Sequence, residues 1–233
     1  ITGAATGVFT GVPAGTYTIT ITDENGCTQT TAPVTIVNPP AITASAAVTS
    51  NYNGSQISCF GASDGRLTVT ASGGTGILSY ALVEIPANVS GLITGVFTNL
   101  PAGTYTVTVT DKNLCSTVTA PVTITAPLAV TVNASVTSNY NGSELSCYGS
   151  SDGIITATAS GGTGTLSYSI VQMPGNLTGT ASGVFTGVPA GTYTIRVTDV
   201  NACFGVSANV VVDNPTTITA TGSVTSNYNG SQV

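Results

Sequence analysis

A repeat of 88 residues constrains this chain more than any other feature. "GVFTGVPAGTYTITITDENGC" at 7–27 returns as "GVFTNLPAGTYTVTVTDKNLC" at 95–115 and "GVFTGVPAGTYTIRVTDVNAC" at 183–203. A second block, "SNYNGSQISC" at 50–59, returns as "SNYNGSELSC" at 138–147 and begins again as "SNYNGSQV" at 226–233. So close a period means a series of like units, each with its own core, so size is judged at the repeat. Pro39, Pro127 and Pro215 mark the boundaries. The register predicts the C-terminal part of a repeat at 1–38, complete repeats at 39–126 and 127–214, and the start of the next at 215–233. A segment of a longer secreted array is expected.

Within a repeat the signal is period-two alternation. In "TYTVTVTD", Tyr105, Val107 and Val109 fall on one face and Thr104, Thr106, Thr108 and Thr110 on the other. That pattern is a half-buried strand with β-formers on both faces. "GRLTVTAS" at 65–72 alternates through Leu67, Val69 and Ala71, and further strands are expected near 41–49, 78–84, 93–98 and 117–125. "SGGTG" and "PAG" supply turns. About seven strands in a repeat predict an all-β fold of tandem immunoglobulin-like Greek-key β-sandwiches. Tyr17, Tyr105 and Tyr193 each follow "PAGT" at a strand start, where a tyrosine corner ties hydroxyl to loop backbone.

Charge is scarce: 3 Lys+Arg, 9 Asp+Glu and no His, with charged residues at 5%. Apolar residues at 41% argue against disorder, so the expected surface is hydroxyl-rich instead of charged. Three isolated cations cannot neutralise a phosphate backbone, which excludes nucleic acid as a partner. The absence of His removes the commonest general base, and the few acids sit at turns, so no enzyme is expected.

Five cysteines at regular spacing point to an oxidising compartment. Cys59 and Cys115 lie 56 residues apart, as do Cys147 and Cys203, and the alternating interval is 32. The expected bridges are Cys59–Cys115 and Cys147–Cys203 inside single repeats, with the partner of Cys27 outside the sequence. The 32-residue interval, through Cys27–Cys59 and Cys115–Cys147, is the alternative and would link repeats. Standard immunoglobulin topology sets the loop before the second strand and the last hairpin at opposite ends. The intradomain bridge therefore needs "NYNGSQISC" to turn and run back. On this expectation the loop opens each module beside its predecessor and delivers Cys59 toward Cys115.

Asp64 and Asp152 in "SDG", with Asp23, Asp111 and Asp199 before the hairpins, match turn-capping positions. Calcium is the second reading, but no dense DxDxDG cluster is present, and no cofactor is expected. Tyr52 and Tyr140, the large side chains of the repeated loop, are candidate ligand contacts. Sequons occur at Asn53, Asn88, Asn133, Asn141, Asn176 and Asn229.

The pattern C-x-G-x-x-D-G, read in "SCFGASDGRLTVTASGGTG", is followed by "LPAGTYTVTVTDKNLC" and a Thr/Val-rich final strand before proline. Together these resemble the SprB repeat of very large surface proteins in gliding and other Bacteroidetes. The resemblance implies export by type IX secretion and extracellular display on the outer membrane. It also implies adhesion to a substratum or polysaccharide during gliding. Gliding and secretion machinery would be engaged through other regions, and neighbouring repeats would be the nearest partners. It offers no catalytic residues. The expected role is a stiff, extended stalk. Glycan- or surface-binding modules, or a self-associating filament, are the alternatives.

Overall fold

The computed structural model describes residues 5–224; the third loop at 226–233, with Asn229, lies outside them. Every regular element among the described residues is a β-strand. The first four are β1 (Gly15–Tyr17), β2 (Thr20–Thr22), β3 (Thr28–Thr30) and β4 (Val34–Ile36). Then come β5 (Thr43–Val48), β6 (Gly65–Ser72), β7 (Ser79–Leu82), β8 (Val96–Leu100), β9 (Gly103–Tyr105), β10 (Val107–Thr110), β11 (Ser116–Val118) and β12 (Val122–Ile124). The same eight recur, with the same lengths, as β13 (Thr131–Val136), β14 (Gly153–Ser160), β15 (Ser167–Ile170), β16 (Val184–Val188), β17 (Gly191–Tyr193), β18 (Ile195–Thr198), β19 (Phe204–Val206) and β20 (Val210–Val212). Pro39, Pro127 and Pro215 all lie outside the strands, where a missing N–H costs no ladder bond.

Two compact units form. One holds the residues up to Ala47 with Thr68–Phe97 and Tyr105–Val122; the other holds Val48–Leu67, Thr98–Thr104 and Thr123 onward. The opening loop of the 39–126 repeat thus belongs to the same unit as the 127–214 repeat.

In the second unit, β13, β14 and β16 form one antiparallel sheet and β15, β18 and β19 another, while β17 and β20 make a ribbon. Alternation aims one face of each inward. Ile155 and Ala157, Phe185 and Val188, Ile170, Ile195 and Val197, with Tyr193, Val210 and Val212, meet in a single core. Arg196, between Ile195 and Val197, stays outside and lies over the Phe204 ring at 4.0 Å. Between β15 and β16 the chain runs back without strand pairing, tied by the Tyr168 N–H to the Thr180 carbonyl (2.9 Å).

"TYTIRVTD" alternates as one strand but is two. The break at Thr194 sends Tyr193 to the ribbon and Ile195 to the sheet. The Ile195 N–H donates to Ser207 Oγ (3.0 Å), so a hydroxyl stands in for the interrupted ladder. Thr119 does the same for Val107 and Thr31 for Ile19 (both 3.1 Å). The hydroxyls of Tyr193 and Tyr17 donate to the carbonyls of Pro189 and Pro13 (both 2.9 Å), fixing the turn before each strand. Burial raises the Tyr193 phenol above its ordinary pKa. Tyr105 is buried at the same register position.

The scarcity of charge has a structural counterpart. Hydroxyl pairs cross the exposed faces: Ser45–Thr70 (2.8 Å), Thr43–Ser72 (2.9 Å), Thr131–Ser160 (2.9 Å), Thr137–Thr156 (2.8 Å) and Thr16–Thr35 (3.0 Å). Such pairs each contribute roughly 0.2–1 kcal/mol without long side chains to order.

In the first unit, β7, β10 and β11 form a sheet with Val109 opposite Tyr80 and Val107 opposite Leu82. Ribbons β1–β4 and β2–β3 leave an open groove of about 940 Å³ lined by Phe9, Tyr17, Ile19, Ile21, Val34 and Ile36. The counterparts of Tyr17, Ile19, Ile21, Val34 and Ile36 in the later repeat are core residues.

Asp199 is buried, and its carboxylate accepts three backbone N–H bonds, from Thr163 (2.7 Å), Asn201 (2.9 Å) and Cys203 (2.9 Å). It therefore joins the hairpin to the turn after β14. Asp111 repeats the arrangement with Thr75, Asn113 and Cys115. Ala202, next in the hairpin, has φ 66, a left-handed conformation that costs a non-glycine residue roughly 1–2 kcal/mol. The sequence already places Gly26 (φ 81) at this position in the first hairpin. Two outcomes are expected in chemical denaturation. Asp199→Ala lowers stability by about 3 kcal/mol, since hydrogen bonds to a charged group are worth about 1.5–3 kcal/mol each. Ala202→Gly raises it by about 0.5–1 kcal/mol, after glycine's own entropy cost.

Candidate functional site

The repeated loop is accounted for residue by residue. Asn53 and Gly54 hold positive φ (52 and 96), as the two central positions of a type I′ turn require. Tyr52 and Ser55 close that turn through both backbone bonds (2.7 and 3.0 Å), and Asn51 Oδ1 accepts the Gly54 N–H (2.8 Å). Ser50 Oγ donates to the Gln56 carbonyl (2.7 Å) and accepts the Arg66 N–H (3.0 Å), tying both ends of the loop together. Ile57 is fully buried. Asp64 Oδ1 accepts the Ser58 N–H (3.1 Å), and its carbonyl accepts the Tyr52 hydroxyl (3.0 Å). Burial and then the nearby Asp64 carboxylate raise the Tyr52 phenol, so it stays a donor.

The copy at 138–147 repeats every one of these bonds. Tyr140 donates to the Asp152 carbonyl (3.0 Å), Asp152 Oδ1 accepts from Ser146 (3.2 Å), and Leu145 is buried where Ile57 is. The loop is also clasped to the chain's way out of its repeat. Gln56 Oε1 accepts the Thr125 N–H (2.7 Å), Glu144 Oε2 accepts the Asp213 N–H (2.7 Å), and Asn214 Oδ1 accepts the Gly149 N–H (3.0 Å).

The loop of the 39–126 repeat docks on the last hairpin of the 127–214 repeat. Asn201 Nδ2 donates to the carbonyls of Tyr52 (3.1 Å) and Ser58 (3.2 Å), and Asn53 Nδ2 donates to Asn201 Oδ1 (2.6 Å). Asn201 thus uses its whole amide at this junction. Beside it Cys59 and Cys203 form a disulfide, with Cα atoms 5.6 Å apart across a separation of 144 residues. A crevice of about 360 Å³ flanks the bond, lined by Phe60, Pro127, Leu128, Val130 and Phe204 among others.

This corrects the expected cysteine pairing. Neither Cys59–Cys115 nor Cys147–Cys203 forms, nor does either bridge of the alternative, Cys27–Cys59 or Cys115–Cys147; Cys27, Cys115 and Cys147 are free and exposed. The 127–214 repeat shows the reason. Cys147 sits at the exit end, beside Asp213 and Asn214, and Cys203 at the entry end, where Asp199 holds Thr163. The eight-residue strand β14 separates those ends, about 26 Å at 3.3 Å per residue, against the 4.4–6.8 Å a disulfide needs. The loop does not run back; its turn is only two residues long. It also lies beside the successor repeat, not the predecessor. The signal missed from the sequence was Asn25, Asn113 and Asn201, two residues before each hairpin cysteine.

Tyr52 and Tyr140, the candidate ligand contacts, both spend their hydroxyls on their own loop. The acids cap turns, and among the described residues no three His, Cys, Asp or Glu side chains gather to hold a metal.

Comparison with known proteins gives two kinds of match. In solved structures, a fragment of intimin crystallised with the intimin-binding domain of its translocated receptor is 14% identical, over 76% of this chain and 65% of that one, with a TM-score of 0.33. Fibronectin(III)-like modules of Clostridium thermocellum CbhA are 15% identical over 72% and 94%, at 0.27. A tetra-tandem repeat from the extending region of a large adhesion protein is 17% identical over 88% and 58%, at 0.23. At these scores the fold rests on this chain's own strands. The chain spans about two thirds of the intimin fragment's length. No curated protein matches the sequence. The family match falls on the clasped loop together with the two strands that follow it: the SprB repeat model matches this chain twice, at residues 51–83 and 139–172.

Proposed function

We propose that the chain is a stiff, non-catalytic stalk segment of a very large secreted adhesin, displayed on the bacterial outer surface for attachment and gliding. The units are the repeats 39–126 and 127–214, each an immunoglobulin-like Greek-key β-sandwich. The matching strand orders of the two repeats and the single core of the 127–214 repeat support that architecture. Each unit adds about 35–45 Å, from strand rise plus end loops. The substratum or a polysaccharide is met elsewhere in the protein, and the secretion and gliding machinery acts through regions outside this segment.

One observation carries the reading: the Cys59–Cys203 bond joins successive repeats and closes a loop spanning 144 residues. Tension applied at the two ends then bypasses most of both repeats. Neighbour contacts supply stiffness, as in other repeat arrays. A module built for ligand binding would gain little from such a bypass.

Pulling the oxidised chain from its ends releases only the residues outside the closed loop. Adding reductant releases about 500 Å more, at about 3.5 Å per residue. Equal contour lengths with and without reductant overturn the proposal, and saturable binding of the chain to polysaccharide counts for the rival reading of the modules as binders. Asn201→Asp sets a carboxylate against the carbonyls of Tyr52 and Ser58. It is expected to slow Cys59–Cys203 formation by about 10- to 100-fold, the equivalent of about 1.4–2.8 kcal/mol. Timed alkylation and mass spectrometry measure that rate.

A further inference from the structure

We propose that the loop at 138–149 is a socket for the last hairpin of one further repeat, closed by a disulfide from Cys147. By the same rule every start loop bonds the hairpin 144 residues on, so an array of these repeats is a covalent ladder. The inference rests on loop and hairpin geometry alone and does not depend on the stalk reading.

The socket is already built. The occupied loop offers the carbonyls of Tyr52 and Ser58, the Asn53 amide and Cys59. In register stand Tyr140, Ser146, Asn141 and Cys147. Asn141 and Gly142 hold the same turn (φ 54 and 97), Tyr140 and Ser143 close it (2.7 and 3.2 Å), and Ser138 ties its ends to Glu144 (2.7 Å) and Ile154 (3.0 Å). The Cys147 sulfur is free and exposed, whereas Cys59 is half-buried in its bond.

The plug is also built, three times. In Asp23–Cys27, Asp111–Cys115 and Asp199–Cys203 the aspartate Oδ1 accepts the N–H of the asparagine (3.0, 2.9 and 2.9 Å) and of the cysteine (2.8, 2.9 and 2.9 Å). Each hairpin places positive φ just before its cysteine: 81, 67 and 66. The first two hairpins hold this shape with free thiols, so docking does not create it. The three unbonded cysteines, Cys27, Cys115 and Cys147, are those for which a separation of 144 residues reaches no cysteine within residues 1–233.

Closing each bond takes two protons and two electrons from two thiols. A small disulfide such as oxidised glutathione accepts them and leaves as two thiols. The bonds then form two interleaved series. Within either series, a hairpin cysteine lies only 32 residues before the next start-loop cysteine, the interval seen from Cys115 to Cys147. A fully unfolded ladder therefore extends by only about 110 Å for every two repeats, against about 600 Å for the open chain.

The test is the whole chain lengthened by a second copy of residues 127–214 placed directly after Asn214, refolded in a glutathione redox buffer and mapped without reduction. Cys59–Cys203 and a bond from Cys147 to the hairpin cysteine of the added copy are expected. A Cys147–Cys203 or Cys115–Cys147 bond overturns the proposal. So does a free Cys147 in molecules that carry Cys59–Cys203. On the unextended chain, iodoacetamide is expected to label Cys27, Cys115 and Cys147 and to spare Cys59 and Cys203. Labelling of Cys59 and Cys203 in that sample removes the template bond and the proposal with it.

Discussion

The length of one strand governs the rest of this structure. β14 carries the chain from the clasped loop to the turn held by Asp199, and eight extended residues cannot be shortened. In the 127–214 repeat the loop end and the hairpin end therefore lie about 26 Å apart. Cys147 and Cys203 cannot meet across that distance, whereas Cys59 and Cys203, from successive repeats, do meet. The polar text of the loop serves that arrangement. Its serines, asparagines and glycine fold a tight turn with almost no core of its own, and Ile57 or Leu145 anchors it.

Much of this was legible. Period-two alternation located the strands because half-buried faces impose it, and Ile195, Val197, Val107 and Val109 are all buried where it put them. The aspartates before the hairpins read as turn caps from their neighbours alone. The break inside "TYTIRVTD" was not legible. It depends on Ser207, 12 residues away, offering a hydroxyl to the Ile195 N–H.

The bridge turns on the path of the start loop. Standard topology already sets that loop and the last hairpin at opposite ends, so an intradomain pairing needs the loop to run the length of the repeat. The residues between Ser138 and Cys147 instead close a turn of two residues, Asn141 and Gly142, and hydrogen bonds to Asp213 and Asn214 hold the loop at the exit end. Local polar composition shows that the segment turns but not how far it travels. Spacing compounds the error, because intervals of 56 and 32 are visible between adjacent cysteines and 144 is not.

The junction divides its work between two kinds of bond. The Asn201 amide makes three hydrogen bonds in a half-buried setting, each worth about 0.5–1.5 kcal/mol net, enough to orient the hairpin but not to resist sustained tension. The disulfide supplies the resistance but cannot choose its partner among five like cysteines. Orientation therefore has to come first, from groups that recur with each cysteine. Asn25, Asn113 and Asn201 stand two residues before Cys27, Cys115 and Cys203, and the Asn-Gly turn stands before Cys59 and Cys147. Charged residues are only 5% of the chain, so this steering falls to neutral polar groups. A surface of paired hydroxyls leaves the short, rigid asparagine contact as the feature that tells one end of a repeat from the other.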